Sequence, residues 1–279
     1  MGIFVDTNNT VYVGDRSNCR VQVWMQGNMT PAKTLADQLN ESYSLFVSIG
    51  GDIYVDNGRY NDKVSKWSAN ASNSTIALNV AGACVGLFVD MYDFQYCSLM
   101  HFQCVVKQSF IDDVNSLTLV AGNGTDGSSS TQLSEPRGIF VDIRSNLYVA
   151  DCGNDRIQLF QSGQRNATTA VGSGAPSTIA LNCPGAIVLD ANGYPFIVDS
   201  INSRIVGAGP YGYRCVAGCS GTSGVSSNHL NYSTGLSFDS YGNLFVLDTY
   251  NSRVQKFLLM NSSCGKHDHV FLGRRSSFS

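Results

Sequence analysis

The stretch Gly138–Phe160, which reads GIFVDIRSNLYVADCGNDRIQLF, decides the fold. It begins with an apolar run that ends at Asp142 and continues through a turn into a second apolar run that ends at Asp151. After a polar turn, polar and apolar residues alternate from Arg156 to Phe160. Apolar runs of this length, separated by turn residues, are typical of successive antiparallel strands. The stretch therefore predicts three strands joined by two hairpins.

The same pattern recurs five more times along the chain. The residue that ends the first strand of each copy sets the alignment of the copies, and these residues are Asp6, Ser48, Asp90, Asp142, Asp190 and Asp239. Short apolar stretches between copies can supply a fourth strand, and they cover residues 33–36, 75–80, 116–121, 168–171 and 213–217. The copies recur about every 45 residues, and repeats of this length bury their apolar faces only against their neighbours.

Six units of four strands predict an all-β fold, a six-bladed β-propeller of four-stranded antiparallel blades. We expect residues 1–260 to form this single domain and residues 261–279 to form a C-terminal tail that can supply a closing strand. The pattern P-x-G-I-x-V-D, L-Y-V-A-D and N-x-R-I-Q-x-F at 136–160 resembles the NHL repeat family of β-propellers. The resemblance extends from Gly2 to Phe257. It implies the fold but not the function, because the functions of this family are diverse.

Composition bears on the partner and on the compartment. A net charge of −3 with 14% charged residues provides no basic face, so we expect no nucleic-acid partner. No apolar run approaches the roughly 20 residues that span a bilayer. The chain contains nine N-x-[S/T] glycosylation sequons, about twice the number expected by chance. They begin at Asn8, Asn28, Asn40, Asn70, Asn73, Asn123, Asn166, Asn231 and Asn261. An alternative is that these residues serve only as turn formers.

The nine cysteines are the second indication of an extracellular protein. Their spacing fits no zinc site, so disulfides are the better interpretation. In a propeller, the end of a second strand and the start of a first strand lie on the same face. The candidate pairs are Cys84 with Cys97, Cys152 with Cys183, and Cys215 with Cys219, which leaves Cys19, Cys104 and Cys264. The alternative is a set of free, buried thiols in a cytosolic protein.

Two charged residues recur in most copies, an Asp at the end of the second strand and an Arg at the start of the third. The repeated pairs are Asp15 with Arg20, Asp151 with Arg156, Asp199 with Arg204, and Asp248 with Arg253. We interpret them as structural, because Asp can accept N–H groups of the following turn while Arg bridges to it. The third copy has Leu99 and Cys104 at these positions, so it loses both partners at once.

Propellers similar to this one include enzymes, but the residues that such sites need are missing. A lyase related to NHL repeats holds zinc with histidines at its channel, whereas His101, His229, His267 and His269 do not occupy corresponding positions of different copies. Lactonase-type propellers hold calcium with Glu, Asn and Asp, but the only glutamates are Glu41 and Glu135, both in connections. The Gly-rich segment 122–127 precedes no predicted helix. We therefore expect no catalytic residues, no metal and no cofactor.

The sequence thus predicts a non-catalytic binding platform at the cell surface or outside the cell, with a protein or glycan partner. Loops on a fixed scaffold carry recognition, so the expected binding face is formed by turns between second and third strands. Its candidate residues are Tyr60, Asn154, Asn202 and Tyr250. The first alternative is a cytoplasmic propeller that recognises protein or RNA substrates for a ubiquitin ligase. The second is a lyase or hydrolase with a metal in the channel.

Overall fold

The computed structural model describes residues 2–37, 39–58, 60–69, 71–110, 117–260 and 270–274. Six four-stranded antiparallel sheets are arranged in a ring, which confirms the predicted six-bladed β-propeller. Within each sheet, hydrogen-bonded neighbours are also neighbours in sequence. None of the described helices is long and apolar enough to cross a membrane.

The first three blades contain twelve of the strands. Blade one consists of β1 (Ile3–Val5), β2 (Val11–Asp15), β3 (Arg20–Trp24) and β4 (Lys33–Leu35). Blade two consists of β5 (Leu45–Val47), β6 (Ile53–Asp56), β7 (Lys63–Trp67) and β8 (Thr75–Asn79). Blade three consists of β9 (Cys84–Val89), β10 (Phe94–Leu99), β11 (Cys104–Ser109) and β12 (Thr118–Ala121).

The last three blades follow the same order. Blade four consists of β13 (Pro136–Val141), β14 (Leu147–Asp151), β15 (Arg156–Phe160) and β16 (Thr168–Gly172). Blade five consists of β17 (Pro184–Leu189), β18 (Pro195–Asp199), β19 (Arg204–Gly209) and β20 (Gly212–Ala217). Blade six consists of β21 (Gly235–Phe238), β22 (Leu244–Asp248), β23 (Arg253–Met260) and β24 (Val270–Arg274).

The acidic residue that ends each first strand shapes the turn that follows. In blade four, Asp142 Oδ1 accepts backbone N–H groups of Arg144 at 2.9 Å and of Asn146 at 2.8 Å. Blade two has Ser48 instead, whose hydroxyl accepts the N–H of Asp52 at 3.1 Å. An Asx turn of this kind closes the hairpin locally. The repeated residue that aligned the copies therefore has a turn-forming role.

The core lies between the blades. Ile139 and Val141 of β13 are buried against neighbouring strands, whereas Phe140 between them is half-buried and lines the central channel. This alternation follows from the two-residue period of a strand. The largest fully buried side chains are Trp67, Phe160, Phe196 and Phe257.

The ring closes by packing of blade one against blade six, without an exchanged strand. Ile3 and Val5 of β1 share one buried cluster with Phe245 and Leu247 of β22. The N–H of Val5 also donates to Ser237 Oγ at 3.0 Å. Strand β24 lies in the segment predicted as a tail, and it pairs with β23 to complete blade six.

Three disulfides connect parts of the described chain. They join Cys84 to Cys97, Cys152 to Cys183, and Cys215 to Cys219, which are the pairs considered above. Cys19 and Cys104 carry free thiols, and Cys264 lies outside the described residues. Disulfides persist in oxidising compartments, so the three bonds suggest an extracellular location.

Candidate functional site

The propeller has two faces with different loops. We call the face with the turns between second and third strands and the links between blades the upper face; residues 16–19 and 39–44 belong to it. The lower face carries the turns between first and second strands and between third and fourth strands, such as residues 6–10 and 25–32. All four candidate binding residues of the sequence analysis are on the upper face.

The repeated Asp and Arg residues fix the upper face. In blade four, Asp151 Oδ2 lies 2.7 Å from Arg156 Nε and accepts Asn154 Nδ2 at 2.9 Å. Its other oxygen accepts the N–H of Ser134 in the link that precedes the blade. The corresponding Asp–Arg distances in the other blades are 2.8 Å for Asp15–Arg20 and 2.7 Å for both Asp199–Arg204 and Asp248–Arg253. Each pair thus joins the ends of a hairpin.

Burial changes the electrostatics of these carboxyl groups. Removal from water raises the pKa of the Asp151 carboxyl, although hydrogen bonds from Ser134, Arg156 and Asn154 oppose the rise. In blade two, Val64 stands opposite Asp56, whereas Arg stands opposite the corresponding Asp in blades one, four, five and six. Burial raises the pKa of Asp56 to about 6, against three backbone N–H bonds that favour the ionised form.

A groove on the upper face lies between blades five and six and has a volume of about 470 Å³. We call it the upper groove. Six of the residues that line it are Ile201, Asn202, Arg204, Asn231, Tyr232 and Tyr250. They combine two aromatic rings, an exposed aliphatic side chain, two amides and a guanidinium group. A site of this composition can offer apolar contact and hydrogen bonds together.

Two stacked tyrosines form the wall of the upper groove. The ring centroids of Tyr232 and Tyr250 are 4.7 Å apart, with 22° between the ring planes. The hydroxyl of Tyr232 accepts Arg137 Nη1 at 2.8 Å, which holds that ring from behind. Tyr250 is 67% exposed, so the stack presents a large free aromatic face. Neighbouring Ile201 is also exposed.

Tyr232 occupies a link position whose backbone conformation is repeated in blades four, five and six. In blades four, five and six, one residue of the preceding link donates its backbone N–H to the Asp of the second strand. The next residue is Glu135 in blade four, Cys183 in blade five and Tyr232 in blade six. All three adopt a left-handed conformation, with φ values of 48°, 49° and 50°. The backbone is therefore repeated while the side chain differs from blade to blade. Variation of this kind on a fixed frame is what a recognition surface requires.

The candidate residues from the sequence fall in different places. Asn202 and Tyr250 are brought together in the upper groove. Asn154 lies in blade four, where its amide donates to Asp151 and to the carbonyl of Gly127, so it stabilises the turn. Tyr60 is exposed in blade two. Sequence reasoning did not identify Tyr232, Ile201 or Arg137, which occupy positions where the copies carry different residues.

The sequon asparagines lie on both faces. On the lower face, the exposed ones are Asn8, Asn28, Asn73 and Asn166. On the upper face, Asn123 is exposed, whereas Asn40 and Asn231 are half-buried. Asn70 and Asn261 lie outside the described residues. Because Asn231 lines the upper groove, a glycan on it would occupy part of that groove.

The second concave feature is the central channel, with a cavity of about 260 Å³ lined by inner strands of all six blades. Its described lining carries no His, Cys, Asp or Glu side chain. Within the described part of the chain, no group of three or more such residues could hold a metal ion. Glu41 pairs with Arg16 at 2.9 Å, and Glu135 approaches Arg137 at 3.7 Å, both outside the channel. His267 and His269 lie outside the described residues.

Comparison with known proteins gives the fold alone. No protein-family model and no curated protein matches the chain, so the NHL resemblance stays a prediction. A Bacteroides thetaiotaomicron protein of unknown function has a TM-score of 0.74 at 16% identity, covering 91% of this chain and 68% of that one. A chain from a nidogen/laminin complex has a TM-score of 0.66 at 15% identity, covering 85% of both chains. Virginiamycin B lyase from Staphylococcus aureus has a TM-score of 0.64 at 12% identity, covering 98% and 83%.

Proposed function

We propose that the chain is a non-catalytic, extracellular binding platform of the NHL type, and that its upper groove binds a protein or glycan partner. The observation that carries this proposal is the Tyr232–Tyr250 stack, which presents an exposed ring beside exposed Ile201. Tyrosine supplies a large contact area at a low cost in side-chain entropy, and it is enriched at interfaces. Arg137 fixes the inner ring in advance, which reduces the entropy lost on binding.

The chemistry of the groove fits both partner classes. A sugar ring can pack its apolar face on Tyr250, and a peptide can place an apolar side chain between Tyr250 and Ile201. Asn202 and Arg204 lie at the same groove. Both donate to Asp199, at 2.9 and 2.7 Å, and their remaining polar atoms can orient a ligand. Aromatic anchors with a few polar neighbours are the usual composition of a binding hot spot.

Two further observations support an extracellular role. The three disulfides favour an oxidising compartment. The sequons Asn8, Asn28 and Asn73 place exposed asparagines on the lower face, away from the groove. One similar chain comes from a nidogen/laminin complex, and an interaction between proteins is the role that we infer here as well. A similarity to virginiamycin B lyase does not favour an enzyme, because the described channel lining carries no His, Cys, Asp or Glu side chain.

The proposal is tested in two steps on the secreted chain. Intact mass before and after glycosidase treatment, with and without reduction, should show several glycans and at least six oxidised cysteines. The labelled protein is then screened against arrays of glycans and of secreted ectodomains. Tyr250→Ala should abolish the binding that the wild type shows, because the stack loses its exposed ring.

Tyr211→Ala is the matched control for this screen. Tyr211 is an exposed tyrosine on the lower face. Tyr211→Ala therefore removes the same side chain as Tyr250→Ala but leaves the upper groove intact. Binding that survives Tyr250→Ala, or a chain that is secreted without glycans and with all thiols reduced, would contradict the proposal.

A further inference from the structure

One position of the inner strands defines the middle of the central channel. It lies two residues before the residue that ends the first strand, and in blade order it is occupied by Phe4, Phe46, Phe88, Phe140, Val188 and Ser237. All six residues line the cavity. Four blades therefore place an aromatic ring at this level, whereas blades five and six place a smaller side chain there.

The four phenylalanines form a continuous arc. The centroid distances are 5.1 Å for Phe4–Phe46, 4.8 Å for Phe46–Phe88 and 5.2 Å for Phe88–Phe140. The planes of successive rings are inclined by 65°, 52° and 64°. Inclined contacts at this spacing are favourable for aromatic rings and leave ring faces and edges available to another aromatic group.

The gap in the arc has a different character. Val188 is smaller than phenylalanine, and Ser237 is both smaller and polar. Ser237 Oγ accepts the N–H of Val5 at 3.0 Å, and its hydroxyl hydrogen can be donated to another acceptor. The cavity is thus bounded by aromatic rings on one side and by an aliphatic group and a hydroxyl on the other.

Neighbouring inner strands approach each other closely beside the cavity. A Cβ atom added to Gly2 would lie 2.6 Å from Leu45 N, and one added to Gly138 would lie 2.7 Å from Ala186 Cα. Gly2 directly precedes β1 and Gly138 lies within β13, and both contacts are with the backbone of the next blade. The inner strands of neighbouring blades therefore approach each other closely at this level.

Exposed apolar residues follow the first strands of three of the blades that form the arc. The residue that follows the end of the first strand is Ile49 in blade two, Met91 in blade three and Ile143 in blade four. All three are exposed. They lie in the turns of the lower face, after the strands that carry Phe46, Phe88 and Phe140. The lining of the cavity carries no charged side chain, which favours uncharged ligands.

We propose that the central channel binds a small, uncharged aromatic molecule with one hydrogen-bond acceptor. Its rings contact the phenylalanine arc, and its acceptor receives the hydrogen of Ser237 Oγ. The cavity of about 260 Å³ exceeds the roughly 150 Å³ that accommodates benzene in an engineered apolar cavity, so one or two fused rings fit. This inference concerns a separate site and does not depend on the proposed function of the upper groove.

The test uses 2-naphthol and naphthalene as probes of the intact secreted chain, with binding followed by ligand-observed NMR titration. Both probes should bind saturably. Val188→Phe fills the gap and should weaken both by at least tenfold. Ser237→Ala keeps the space but removes the hydroxyl, so it should weaken 2-naphthol by about fivefold, as expected for one hydrogen bond, and leave naphthalene unchanged.

Thermal unfolding and near-ultraviolet circular dichroism establish that each variant is folded, and Ser237→Ala remains informative where Val188→Phe does not fold. Tyr250→Ala should bind both probes as the wild type does, which separates this site from the upper groove. The proposal is overturned by the absence of saturable binding to the wild type. Equal loss of both probes in Ser237→Ala, or unchanged affinity in folded Val188→Phe, would also overturn it.

Discussion

Asp151 and Arg156 face each other across the β14–β15 hairpin of blade four, with 2.7 Å between Oδ2 and Nε. The side chain of Asp151 is fully buried, and that of Arg156 is 8% exposed. Arg156 also donates to the carbonyl groups of Ser128 and Gln132 in the link before the blade. One guanidinium group therefore neutralises a buried carboxylate and connects the hairpin to the link.

We predict that Arg156→Ala lowers the free energy of unfolding by about 3–5 kcal/mol. The variant leaves Asp151 buried without its cation, which is more costly than the loss of the attraction alone. The matched control is Arg20→Ala in blade one. That pair has the same geometry, but its side chains are 38% and 23% exposed, so the expected loss is about 0–1 kcal/mol.

Urea denaturation of both variants at pH 7.5 measures this difference. Equal losses for Arg156→Ala and Arg20→Ala would show that burial does not determine the contribution of the pair. A loss below about 1 kcal/mol in Arg156→Ala alone would show that water reaches Asp151 once the guanidinium is removed.

The three disulfides should differ in their contribution to stability because they close loops of different length. The separations along the chain are 31 residues for Cys152–Cys183, 13 for Cys84–Cys97 and 4 for Cys215–Cys219. The loop-entropy relation gives roughly 3.7, 2.9 and 1.9 kcal/mol in that order. Each pair is replaced by two alanines, and the free energy of unfolding is measured without reductant.

The order is the essential part of this prediction, since strain and residual structure in the unfolded chain alter absolute values. The largest loss should follow removal of Cys152–Cys183, which joins the turn of blade four to the link of blade five. A larger loss from Cys215–Cys219 than from the other two would contradict the entropic explanation.

The architecture could be predicted because it is encoded locally and repeated. Each copy contains its own strand signals and its own turn residues, such as Asp142, whose hydrogen bonds are all within four residues. The Asp–Arg pairs are also local, since Asp151 and Arg156 are five residues apart. Six independent copies of the same local signal leave little ambiguity about the fold.

The candidate site could be predicted only in part because it depends on contacts between distant residues. Asn202 and Tyr250 were selected as turn residues, but nothing local indicates that they share a groove. Arg137 and Tyr232 are 95 residues apart in sequence, and only the curvature of the ring brings them within 2.8 Å. Substitutions that depart from the repeat, such as Tyr232, are the signal that could have identified the groove.

Gly138 lies where the inner strands of blades four and five approach each other closely. A Cβ atom at this position would lie 2.7 Å from Ala186 Cα and 2.8 Å from Gly185 O, which are backbone atoms of the next blade. We predict that Gly138→Ala lowers the free energy of unfolding by about 1–3 kcal/mol, because rigid backbone must move.

Gly209→Ala is the control for this prediction. Gly209 is likewise part of a strand, the last residue of β19, but a Cβ atom there would meet no atom within 4 Å. This variant should be neutral or more stable by about 0.4–1 kcal/mol, because alanine reduces the entropy of the unfolded chain. The two variants are compared by urea denaturation. Similar values for both would show that blades four and five separate at little cost.

Asp56 should make the stability of blade two dependent on pH. Its carboxyl group is fully buried and accepts N–H groups from Tyr43, Gly58 and Cys84. Burial raises its pKa from the ordinary value of 3.8 to about 6 in the folded chain. The folded state therefore binds more protons than the unfolded state between these two values, and the contribution of Asp56 to stability is lost as pH rises through this window.

Asp56→Asn has the same shape as the protonated carboxyl group but does not titrate. We predict that the free energy of unfolding of the wild type, minus that of Asp56→Asn, falls by about 2 kcal/mol between pH 4 and pH 7. Taking this difference removes the contribution of other titrating groups, provided that the variant leaves them unchanged. A difference that is constant or rises with pH would mean that the three N–H bonds outweigh burial and that Asp56 is ionised throughout.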